Sequence, residues 1–189
     1  MSKEYHQTDV ALFKLISERN AEALERLFNK YYEGLCRFGT TYESDLAIVE
    51  EKVSDVFIQL WNTSPRKLLA VKNPKPYLYV VVKNKLLEPV KHQQVETSLQ
   101  EIHEYNSSSP CIEDEIIYQE QKAFYAKRIA MVLDKIPEKS RQIFEMSRLD
   151  ELKHKEISEI LGVSIKTVEN HMSIALRTIR NMIIKQKQY

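Results

Sequence analysis

Apolar residues recur along this chain at steps of three and four, with polar residues filling the positions between. That period is helical, because residues three and four apart are neighbours on one helix face. Over "DVALFKLISERNAEALERLFNKYYEGLCRFG" the stripe runs Leu12, Leu15, Ile16 and then Leu24, Leu27, Phe28 and Tyr31. Asn20 stands between the two halves, where its side chain can cap a helix start. "LAIVEEKVSDVFIQLWN" gathers Val49, Val53, Val56, Phe57, Leu60 and Trp61 on one face. Glu51, Ser54, Asp55, Ile58, Gln59 and Asn62 fall on the other. In "NPKPYLYVVVKNKLLEPVKH" the run Val80, Val81, Val82 has strand propensity, yet Leu78, Val82 and Leu86 with Tyr77 and Val81 also make a helical stripe. Its helical neighbours favour the helix.

The same period returns late in the chain. "QEQKAFYAKRIAMVLDKI" is amphipathic through Phe124, Ile129, Val132, Leu133 and Ile136, and Pro137 sits where a new helix can begin. "EKSRQIFEMSRLD" should bury Ile143, Phe144 and either Ser147 or Leu149. In "EISEILGVSIKTVENHM" the residues Ile157, Ile160 and Leu161 form an inner face, Gly162 can take positive φ, and Ser164 can cap the next helix. That helix turns Val168, Met172, Ala175 and Ile179 inward. Lys166, Asn170, Ser173 and Arg177 line a second side, with Thr167 and Glu169 beside them. Helix, glycine turn, helix is the arrangement of a helix-turn-helix DNA reader. A helix in the major groove needs short polar side chains for base edges and cations for phosphates, and this face carries both. A solvated face on a helical bundle is the plainer alternative.

Composition supports an all-α fold. Only 3 Gly and 6 Pro in 189 residues leave room for long helices, and 43% hydrophobic residues suffice for a core. The formal net charge of +1 points to no partner, but its distribution does. Pro65–His92 carries +6 (Arg66, Lys67, Lys72, Lys75, Lys83, Lys85 and Lys91 against Glu88), Gln93–Tyr118 carries −6, and Gln119 to the end carries +5. The acidic stretch contains "YNSSSP", which has neither helical nor strand period, and is expected to be a flexible linker between two helical domains; a surface loop within one domain is the alternative. Cys36 and Cys111 form no pattern and are expected to be reduced thiols, as in the cytosol. No apolar run approaches a membrane span of ~18 residues, and "MSKEYHQTD" does not read as a signal peptide. Neither a phosphate-binding glycine loop nor a metal-ligand spacing is present, so no enzyme, metal or cofactor is expected. His6, His92, His103, His154 and His171 are scattered and are expected to be isolated surface residues.

"IPEKSRQIFEMSRLDELKHKEISEILGVSIKTVENHMSIALRTIR" closely resembles region four of the extracytoplasmic-function (ECF) group of sigma-70 family sigma factors. "VSDVFIQLW" followed by "YLYVVVKNKLLE" resembles region two of the same group, and the two stand in the family's order and separation. The resemblance implies region two over 1–92, a linker over 93–118 and region four over 119–189. It implies a cytoplasmic, non-enzymatic factor that binds core RNA polymerase and promoter DNA and directs initiation from −10 and −35 elements. It also implies an anti-sigma protein as partner, and no membrane insertion.

Residue by residue, the resemblance places polymerase contacts at Glu51, Ser54, Asp55, Ile58 and Gln59, the outward face left without a core role. It places −10 recognition at Tyr77, Lys83, Asn84, Lys85 and Lys91, with Asn84 matching the Asn of the family's "ARN" signature; Tyr77 and Tyr79 are expected to pack rather than to stack on bases. It places −35 recognition at Ser164, Lys166, Thr167, Glu169, Asn170, Ser173 and Arg177, with Lys153 and Lys155 toward phosphates. Two positions depart from the family pattern. Ser54 stands where many relatives have Gln, and Pro89 interrupts what relatives continue as a helix, which predicts an end or kink near Leu87. A polymerase-independent helix-turn-helix regulator, dimeric on a symmetric operator, and a helical protein adaptor are the competing functions.

Overall fold

The computed structural model describes residues 8–88, 129 and 131–186, and its elements are all α-helices. Helix α1 (Asp9–Ser17) starts where Thr8 accepts the Ala11 amide at 3.4 Å. The long N-terminal stripe does not make one helix. Arg19 takes φ 65, and Asn20 then accepts the Ala23 amide at 2.9 Å to open α2 (Ala21–Gly39). Helix α3 (Leu46–Asn62) is capped by Asp45, short α4 (Pro65–Leu69) follows, and α5 (Pro74–Leu87) begins with proline in its first turn.

These five helices close on Phe13, Ile16, Leu27, Leu35, Val49, Val53, Leu60, Leu78 and Val82. Each such side chain contributes about 1.5–3 kcal/mol when fully buried. That packing overrides the strand propensity of Val80–Val82: one helical face of α5 delivers Leu78, Tyr79 and Val82 into the core, which a two-residue period would have split. Tyr79 is a core residue, 1% exposed, and Tyr77 packs edge-on against Phe13, as expected of both. Helix α5 ends at Leu87, and Glu88 takes an extended ψ of 128, the conformation favoured before a proline.

A second unit holds α6 (Glu138–Arg148), α7 (His154–Leu161) and α8 (Ile165–Gln186), packed pairwise around Ile143, Met146, Ile157, Ile160, Val168, Met172 and Ala175. Met146 takes the core position expected of Ser147 or Leu149; α6 ends at Arg148, and Leu149 is 53% exposed. Of the preceding stripe, Ile136 is buried while Ile129 is 59% exposed. His171 is not an isolated surface residue: it is half-buried, with Nδ1 2.9 Å from the buried Ser140 hydroxyl. Cys36 is a buried free thiol, and burial pushes its pKa up. His6, His92, His103, Cys111, Pro89, Lys91 and the expected linker over 93–118 lie outside the described residues. No described helix is long and apolar enough to cross a membrane.

The two units touch. Helix α5 packs against α7, and a single hydrophobic cluster holds buried residues of both units.

Candidate nucleic-acid interface and docking face

The geometry of the second unit is set by its glycine turn. Helix α7 opens with the Lys153 amide donating to the Glu156 carboxylate at 2.8 Å. It closes at Gly162, whose φ of 72 and ψ of 33 are left-handed and whose amide donates to the Ser158 carbonyl at 2.9 Å. Ser164 Oγ then accepts the Thr167 amide at 3.0 Å, which caps α8. The chain therefore reverses within three residues, and α8 presents one side outward along its length.

That outward side carries the residues the sequence marked. Lys166, Glu169, Asn170, Ser173 and Arg177 are exposed, whereas Val168, Met172 and Ala175 are buried behind them. Local bonds already occupy several of these groups. The Ser164 and Thr167 hydroxyls lie 2.8 Å apart in the cap, Ser173 Oγ donates to the Glu169 carbonyl at 2.9 Å, and Lys166 sits 3.7 Å from the Glu169 carboxylate. Asn170 and Arg177 form no hydrogen bond or ion pair among the described residues, so their donors face solvent. Lys153 and Lys155 are exposed one helix earlier.

On the first unit, α3 turns Glu51, Ile58 and Gln59 to solvent, with Ile58 60% exposed. Ser54 is half-buried and spends its hydroxyl on the Glu50 carbonyl at 2.8 Å. Asp55 pairs with Lys85 of α5 at 3.1 Å, so a polymerase candidate and a −10 candidate bind each other across two helices. Beside Ile58 an almost wholly apolar groove of about 580 Å³ opens between α2 and α3, lined by Leu24, Phe28, Phe57 and Trp61 among others. The sequence had assigned these aromatics to the core. Phe57 is buried, but Phe28 and Trp61 are only partly so. The width of the α2 stripe, with Leu24 and Phe28 beside Leu27 and Tyr31, was the available signal.

The −10 candidates are placed less uniformly. Asn84 is exposed, Lys83 is half-buried with Nζ donating to the Ile160 carbonyl at 2.9 Å, and Lys91 lies outside the described residues. Among the described residues no acidic, His or Cys cluster could hold a metal ion.

Comparison with known proteins gives three further observations. Residues 126–179 match the family model described as Sigma-70, region 4. An ECF RNA polymerase sigma factor SigK from Mycolicibacterium vanbaalenii is 19% identical over 176 residues, covering 92% of this chain and 88% of that protein. One from Mycobacterium ulcerans is 20% identical over 142 residues, 74% of each chain. Among solved structures, CnrH in complex with the cytosolic domain of CnrY shares the fold, with a TM-score of 0.55, 16% identity and coverage of 95% of this chain and 99% of that one.

Proposed function

We infer that this chain, a member of the ECF group of sigma-70 family sigma factors, binds core RNA polymerase and directs initiation at promoters with −10 and −35 elements. The observation that carries the reading is the exposed polar face of α8, set by Gly162 and Ser164, within the segment matched to region four. This family is non-enzymatic, and the bond chemistry belongs to the polymerase.

At the level of residues, α8 enters the major groove of the −35 element. Asn170 and Arg177 reach base edges, Ser164, Thr167, Glu169 and Ser173 surround them, and Lys166, Lys153 and Lys155 neutralise phosphates. Asn84 reads the −10 element with Lys83, Lys85, Lys91 and Tyr77 around it. Core polymerase seats on Glu51, Ser54, Asp55, Ile58 and Gln59, where an exposed aliphatic residue beside an apolar groove is ringed by polar groups, as at the centre of an interface. The domains run 1–92, 93–118 and 119–189, and the protein works in the cytoplasm beside the polymerase. An anti-sigma protein is the further partner assigned; its support is that the similar CnrH chain is held in complex with the cytosolic domain of CnrY.

Run-off transcription with purified core polymerase on a promoter pool tests the reading. Initiation at one shared pair of motifs only when the chain is added is expected. Failure to initiate and failure to co-purify with core, together with dimeric binding to a symmetric operator, would establish an independent regulator instead.

A further inference from the structure

Helix α1 ends where glycine would fit best, and the chain carries arginine instead. The Arg19 amide donates to the Ile16 carbonyl at 2.9 Å and the Asn20 amide to the Leu15 carbonyl at 3.0 Å, the paired closure of a Schellman turn. That closure needs a left-handed residue, and Arg19 supplies it at φ 65. Glycine adopts this conformation without strain, whereas a residue with a long side chain does not. Within the α1–α2 turn Arg19 therefore brings no advantage. Its use lies where its side chain goes.

The side chain goes to the end of α3, 42 residues on, where Arg19 Nη1 donates to the Trp61 carbonyl. Its Cζ stands over the Trp61 ring, 5.5 Å from the centre. Two needs are met there. Helix α3 has no basic residue in its last turn to answer its free carbonyls. Thr63 gives its hydroxyl to the Gln59 carbonyl at 2.8 Å and its amide to the Leu60 carbonyl at 3.2 Å. Arg19 gives the next donor, to Trp61, from outside the helix. The guanidinium also lies against the indole face as a cation–π pair.

Trp61 is half-buried and lines the apolar groove between α2 and α3, with Leu24, Phe28, Phe57 and Ile58. Ala21, two residues past Arg19, lines it too. Phe28 and Phe57 hold each other edge-on at 4.9 Å. Trp61 has no aromatic partner among the described residues, and the Arg19 guanidinium covers its face instead. A groove wall that is ordered before a partner arrives spares the association the entropy of ordering it. A strained backbone of this kind persists where its surroundings hold it, and it occurs at functional surfaces.

We propose that Arg19 is a positioning residue of the docking face: it clamps Trp61 to the end of α3, so that the groove beside Ile58 is formed before core polymerase seats on it. The use of the groove rests on the sigma-factor reading, whereas the clamp rests on the geometry alone.

Trp61 is the only tryptophan of the chain, so its fluorescence reads the clamp directly in the full protein. Arg19→Gly removes the side chain and suits the left-handed turn, so helicity by circular dichroism should be kept. Acrylamide quenching of Trp61 should increase, and its anisotropy decay should gain a fast component. Binding to core polymerase immobilised on a sensor surface should weaken about two- to fivefold, the range expected for an exposed cation–π contact. Arg19→Lys keeps the charge without the planar fork of donors. It should recover core binding only as far as it recovers Trp61 shielding. Unchanged quenching in Arg19→Gly overturns the clamp. Increased quenching with unchanged core binding overturns the docking role, as does a lysine variant that binds core fully while Trp61 stays loose. If Arg19→Gly loses helicity, Arg19→Asn, which also tolerates this turn, decides in its place. If the unaltered chain does not bind core, the sigma reading falls and the docking role with it, while the quenching result still decides the clamp.

Discussion

Replacing Gly162 with alanine isolates the cost of the turn that aims α8. A Cβ at this position meets nothing within 4 Å, so no steric clash contributes and only the backbone conformation matters. Gly162 sits at φ 72, where an L-residue pays roughly 1–2 kcal/mol. Alanine also restricts the unfolded chain, which returns about 0.4–1 kcal/mol. The net expected loss is therefore centred on about 0.8 kcal/mol, within limits of about 0 to 1.6, which is about fourfold in the folded-to-unfolded ratio of the second unit. Asparagine tolerates this region and should cost less, while β-branched valine should cost more than alanine. Amide hydrogen exchange along α7 and α8 reads the second unit directly, which Trp61 fluorescence cannot, since the only tryptophan lies in α3. The expected order of lost protection is Asn, Ala, Val. Equal protection in all four proteins would mean that the turn stores no conformational cost; a loss of 3 kcal/mol or more for alanine would mean that a hidden contact was being broken.

The remaining predictions concern the two surfaces and the core behind them. Asp55→Arg and Ile58→Asp should each abolish binding to core polymerase in a pull-down while helicity is kept, and retained binding would remove that residue from the interface. Arg177→Ala should weaken −35 duplex binding by about 1–3 kcal/mol with relaxed base preference if it reads a base edge; Lys153→Ala should instead lower the salt-dependence slope by about 1 without changing preference. Fluorescence anisotropy across a salt series measures both, and unchanged affinity makes either residue a bystander. Val168 is fully buried on the inner face of α8, so Val168→Ala should destabilise the second unit by roughly 1.5–3 kcal/mol from two lost methyl groups and the space they leave. Urea unfolding followed by circular dichroism checks it, and a loss below 0.5 kcal/mol would place Val168 outside the core.

How much of this was legible in the sequence follows from how local each determinant is. Helix α3 runs from Leu46 to Asn62 as its stripe predicted, because capping by Asp45 and one apolar face act within a few turns. The turn at Gly162 and the Ser164 cap were legible for the same reason. Met146 was missed because α6 stops at Arg148, and a stripe alone does not say where a helix ends; with the chain turning there, Leu149 swings outward. The groove beside Ile58 was missed because a side chain such as Phe28 or Trp61 reads as core from its spacing whether or not a neighbouring helix covers it. The Arg37–Asp150 pair between the two units joins residues 113 apart in sequence, and no periodicity connects them. Yet its trace was present as an oddity. Gly34 interrupts the middle of a strong helix where alanine would serve α2 better, and a residue that is locally unfavourable points to something packed over it, here the Asp150 carboxylate. At that pair, burial holds the Asp150 carboxyl above the usual carboxylate range, with Arg37 pulling it down. Desolvation outweighs attraction there, so the pair specifies how the units meet more than it stabilises their meeting.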